Sequence, residues 1–224
     1  MAKLLNDKMS SQTHISNSNR HIRLSNQTQG AESLSTAIAP KVNLLKEKNA
    51  ATLAQKENKD AAYDNLVFKD AVLDDVIRNV SDSAKQFDRM NLGRPIYTQL
   101  FPDGKYSTIV RASFTKELGM SMQLKERLTA LGDTHQLYAN VAPLTAAAND
   151  VQAALQKLEE EENKVKVAVA NEELAQAELR KQYEYNYLDA AKMFGKKFAD
   201  RLFPKTASKA KVEDAVSETE ELTE

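Results

Sequence analysis

His14, His21 and His135 are the only imidazoles in the chain. Imidazole ligates metals and moves protons near neutral pH. A zinc site of the metalloprotease kind needs two histidines four apart with a glutamate between them, and a di-iron bundle needs Glu-x-x-His on its helices. Neither spacing occurs. Glu159, Glu160, Glu161 and Glu162 are dense in carboxylates but occupy consecutive positions. Consecutive helical positions point around the whole circumference, so we read a solvated segment and not a metal cage. Six scattered glycines cannot build a phosphate-cradling loop, and no G-x-S-x-G elbow is present. A general acid would have to come from Asp103 or Tyr106. We therefore expect no catalytic residue, no cofactor, no metal and no small-molecule substrate, and a chain that is not an enzyme.

Two segments have the composition of binding devices. In residues 192–203, Met193, Phe194, Phe198, Leu202 and Phe203 stand beside Lys192, Lys196, Lys197 and Arg201. A basic amphipathic helix lies in a membrane interface or tracks a phosphate backbone. The competing and favoured reading is that the aromatics close the core while the cations face water and favour the helix C-terminus. Candidate interaction residues here are Lys192, Phe194, Lys196, Lys197, Phe198 and Arg201. The second segment, residues 96–111, contributes Phe101, Asp103, Lys105 and Tyr106, because irregular segments held by a rigid scaffold often carry recognition; the favoured reading is a simple connector between helices.

The elements that must position these residues are helical. Only six glycines and five prolines punctuate 224 residues, a scarcity that argues for a few long elements. Ile38, Leu45, Thr52, Lys59, Leu66, Leu73, Val80 and Phe87 recur every seventh residue, with Tyr63, Ile77 and Ala84 close in phase. That is the repeat of one helix lying along another. Pro40 is tolerated in a first turn, and Gly93 and Pro95 stop the run, so we expect a helix over residues 40–92.

Leu137, Leu144, Val151, Leu158 and Val165 form a second row, joined by Val141, Ala148, Leu155 and Val169. Glu172 interrupts it. It resumes at Leu179 with Tyr183, Ala190 and Met193, and gives a helix over residues 137–203. Tyr183, Tyr187, Ala190, Phe194 and Phe198 share one helical face, so the alternating tyrosines are read as helix and not strand.

Between the rods, residues 93–136 read as a small module. Pro102-Asp103-Gly104 is strong turn chemistry flanked by strand-favouring residues, and we expect a short β-hairpin there, with an extended loop as the alternative. Met120, Leu124, Leu128 and Leu131 predict a short helix closed by Gly132. The expected fold is mainly α: an elongated antiparallel long-helix hairpin, coiled-coil-like, with that module at one end. Its domain spans residues 31–206. Residues 1–30, rich in Ser and Asn with four cations against one acid, are expected to be a flexible basic arm. Residues 207–224, with two lysines against six acids, are expected to be an acidic tail.

Composition is 42% apolar and 28% charged, and net charge is −1, so attraction to acidic partners would have to be local. There is no cysteine, which removes disulfides and thiolate chemistry together. No run approaches the roughly twenty apolar residues of a membrane span, and the start lacks the apolar core of a signal peptide. The expected location is cytoplasmic, with a virion as the other setting. A two-helix hairpin buries only a narrow seam, and polar Lys59, Glu172 and Asn186 weaken it. The expected role is structural: helix packing against protein partners in a homo-oligomer or a larger assembly, cellular or viral. Binding of a membrane or nucleic acid through residues 192–203 is the alternative.

Overall fold

The computed structural model describes residues 4–93 and 95–203. Its elements are α1 (Ser11–Asn26), α2 (Glu32–Met90), α3 (Tyr97–Leu100), α4 (Phe114–Ala130), α5 (Val141–Phe194) and α6 (Lys196–Leu202). Single 3-10 turns lie at Tyr106–Thr108 and Gln136–Asn140. The described residues are mainly helical and contain no strand. They divide into two compact units. Among the described residues, one lies within 1–53 and 167–203, the other within 54–166, and α2 and α5 contribute to both. The expected acidic tail, residues 207–224, lies outside the described residues.

In the first unit the long helices pack by their heptad rows. Ile38, Val42 and Leu45 of α2 are buried with Ala175, Leu179, Tyr183 and Ala190 of α5. The two run antiparallel there: Lys41 meets Glu178 at 2.7 Å, and Asn49, further along α2, meets Glu172, earlier along α5, at 3.0 Å.

The flexible arm expected over residues 1–30 is not what forms. Residues 11–26 are α1, opened by Ser10, whose hydroxyl accepts from the Thr13 backbone N–H at 3.3 Å. Its buried face is Ser11, His14, Ile15, Ser18, His21 and Ser25. Serine and histidine at spacings of 3, 4, 3 and 4 follow the same helical repeat as leucine would. A search for apolar periodicity passes over them.

α2 begins at Glu32, about two turns before Pro40, so Pro40 sits inside the helix and not in its first turn. The helix expected to run to residue 203 ends at Phe194. Gly195 adopts φ +79° and ψ 157°, a conformation nearly exclusive to glycine, and α6 restarts after it. The turn brings Ala199, Leu202 and Phe203 into the core of this unit.

In the second unit, Leu66, Leu73, Ile77, Val80 and Ala84 of α2 pack with Leu144, Ala148 and Val151 of α5 and with Leu124 and Leu128 of α4. The expected β-hairpin is absent. The Asp88 carboxylate accepts from the Ile96 and Tyr97 backbone N–H groups at 2.7 and 3.1 Å and so starts α3. Ile96, Leu100, Phe101 and Ile109 are all buried in one core. Strand alternation would send neighbours such as Leu100 and Phe101 to opposite faces. An isolated two-stranded hairpin has little stability of its own, and burial overrides local β preference. The Pro102-Asp103-Gly104 turn does form: the Gly104 N–H donates to the Phe101 carbonyl at 2.9 Å with Gly104 at φ +83°.

Candidate functional site

The residues singled out at 192–203 occupy the corner where α5 breaks and α6 begins. Phe194 and Phe198 lie against each other with ring centroids 5.2 Å apart, both half-buried on the core. Leu202 and Phe203 are buried. Lys192, Lys196, Lys197 and Arg201 are exposed. Lys192 reaches Asp189 at 3.4 Å, and the Arg201 guanidinium sits over the Phe198 ring at 5.8 Å. Only Met193, expected in the core row, shows a large apolar surface, 48% exposed. The aromatic half of the segment is thus spent on the fold, and a membrane-lying helix would need it outward. Beside the corner, Ser33, Leu34, Ala37, Asn186, Asp189, Lys192 and Met193 line an open groove of about 350 Å³.

Within the other unit, Phe101 is buried and Asp103 and Lys105 are exposed. Tyr106 is half-buried, and the Lys85 ammonium stands over its ring and that of Tyr97, 5.4 Å from each. A cavity walled by Phe101, Asp103, Ile109, Met120 and Arg127 among others is about 20 Å³. That is room for about one water molecule and not for a substrate.

Two polar clusters carry no sequence motif. The first is built around His21. Its Nδ1 donates to the Leu202 carbonyl at 3.1 Å, which leaves Nε2 to accept from Asn186 Nδ2 at 2.9 Å. Asn186 Nδ2 also donates to the Leu34 carbonyl at 2.7 Å, and Asn186 Oδ1 accepts from Gln182 at 2.9 Å. The His21 ring stacks on Phe203 at 4.1 Å, and Tyr183 meets both rings edge-on. Burial pushes the His21 imidazole down to about 4. The network therefore holds a neutral histidine. Nearby, Glu172 accepts from Ser11 and Asn49, and Ser11 accepts from Gln176 at 2.6 Å. The polar residues that interrupt the α5 row are the ones that receive α1 and α2.

The second cluster joins α4 to α2. Glu117 is 1% exposed, with Asp70 and Asp74 of α2 against it. Burial first, and then the charges of Asp70 and Asp74, push the Glu117 carboxyl up to about 8. Its protonated form is therefore favoured at neutral pH. Its place is legible in hindsight: Glu117, Ser121, Leu124 and Leu128 are the buried face of α4, spaced 4, 3 and 4. The expected stripe started from Met120, which is only partly buried.

The run Glu159–Glu162 also departs from expectation at one position. Glu161 is buried, and its Oε1 accepts from Lys157 at 2.8 Å and Lys164 at 2.9 Å. Those bonds hold its carboxyl below the usual range. His135 caps the turn at Gln136–Asn140, its Nδ1 accepting from the Leu137 N–H at 3.1 Å. Among the described residues no group of three or more His, Asp or Glu side chains is arranged to hold a metal ion. No described helix is long and apolar enough to cross a membrane.

No known family, curated protein or solved structure matches the chain.

Proposed function

We propose that the chain is a non-catalytic structural protein that acts by packing its helices in a homo-oligomer or larger assembly, within a cell or a viral particle. The observation that carries this reading is apolar surface on the outward faces of helices whose inward faces are already filled. Tyr63, Val67, Phe68 and Val72 of α2 are exposed in one unit, and Val167, Leu174, Tyr185 and Leu188 of α5 in the other. Single exposed apolar residues are ordinary on a monomer, whereas residues grouped along a helix serve association.

Peripheral binding to a membrane or nucleic acid through residues 192–203 keeps its surface cations. It loses the apolar face that the membrane version requires, so helix packing is the better-supported reading. Light scattering over a dilution series tests it. The expected mass is a multiple of 25.0 kDa that falls on dilution. A single-chain mass at every concentration overturns the homo-oligomer.

A further inference from the structure

The exposed apolar residues of α5 are ordered. Val167, Leu174, Lys181 and Leu188 fall at steps of seven, and Asn171, Glu178, Tyr185 and Lys192 form the adjacent row four residues on. All eight are exposed, with Val167 at 62%, Leu174 at 66%, Tyr185 at 49% and Leu188 at 53%. The buried row of Ala175, Leu179, Tyr183, Asn186 and Ala190 lies on the other side of the helix. α5 in this unit therefore carries two heptad seams, one filled by α1 and α2 and one that no described element covers.

We infer that the open seam receives α5 of a second copy, antiparallel, about a two-fold axis between positions 179 and 180. The inference rests on the assembly reading above and names its surface. Charge decides the direction. A parallel, in-register pair would set Lys181 on Lys181 and Glu178 on Glu178. The antiparallel pair sets Glu178 against Lys181 of the partner subunit, and the two-fold axis repeats that contact. The same register places Leu174 against Tyr185 and Leu188 against Asn171, and lays the alkyl stem of Lys192 over Val167. Lys181 is available: it rests over the Tyr185 ring at 5.8 Å. Glu178 Oε2 already accepts from the Lys41 ammonium at 2.7 Å, on the surface, and its other oxygen remains to face the partner.

The test is a charge swap read by sedimentation equilibrium of the full chain at low salt, with helix content by circular dichroism as the folding control. Glu178→Lys alone and Lys181→Glu alone each place like charges together twice. Each is expected to weaken association by about tenfold or more. The double variant restores the pairing with signs reversed and is expected to recover most of the affinity. Lys41→Ala is expected to leave association unchanged. Leu174→Glu, at a position already open to water, is expected to yield folded single chains. A wild-type oligomer that survives Leu174→Glu, or a double swap no better than either single variant, overturns this seam while leaving assembly standing. A wild type that never exceeds one chain overturns both.

Discussion

Buried histidines and a buried acid set the chain's expected response to pH with opposite signs; His14, like His21, is held neutral-leaning by burial. His21 has its folded pKa depressed to about 4 from 6.5. Between those values the unfolded chain binds a proton that the folded chain does not, so the His21 contribution is lost as pH falls from 6.5 toward 4. Glu117 has its folded pKa raised to about 8 from 4.5. There the folded chain holds the extra proton, so stability from this site falls as pH rises from 4.5 to 8. Glu117→Gln, which mimics the protonated acid, is expected to exceed wild type in urea midpoint, with a gain that grows as pH rises across that window. An unchanged or lower midpoint at pH 8 would refute the buried-proton account. Asn186→Ala removes one donor group serving two acceptors and is expected to cost about 1–3 kcal/mol, read by urea unfolding at pH 7.

At the scale of elements, backbone chemistry makes two further predictions. Pro40 is exposed and inside α2, where it removes a helical hydrogen bond and crowds the preceding turn. Pro40→Ala is expected to raise the melting temperature, and a fall would mean that the proline is needed for packing. Gly195→Ala is expected to destabilise by about 1–3 kcal/mol, because no L side chain settles at φ +79° and ψ 157°. The same substitution invites α5 to continue and would withdraw Phe203 from His21, visible as a change in near-ultraviolet circular dichroism.

The heptad rows were legible because leucine, isoleucine and valine mark them: Ile38, Leu45, Leu66, Leu73 and Val80 are all buried. What stayed hidden followed other chemistry. α1 buries serine and histidine, which read as a solvated arm until α5 supplies Glu172, Gln176 and Asn186. The hairpin failed because turn chemistry at Pro102–Gly104 fixes a reversal but not the state of its flanks, and Asp88 caps one flank as helix. Met193 falls in the row itself, seven residues after Asn186, and Tyr63 four after Lys59, yet both face outward. The candidate corner at 192–203 was found by composition, whereas its inward aromatics follow from the break at Gly195.

For the molecule as a whole, the central claim is that α5 has a second apolar seam that takes another copy of the chain. The absence of cysteine allows a single spin label to be placed anywhere without a background thiol. Asp189→Cys carries it on the surface beside the seam, where only the contact to Lys192 is lost. In the antiparallel register the two labels are about 28 Å apart along the helices, at 1.5 Å per residue. Pulsed dipolar spectroscopy of the labelled protein is predicted to show an intermolecular distance on the order of 30 Å. A decay with no dipolar modulation, or a separation near the roughly 10 Å of side-by-side parallel helices, would contradict the account.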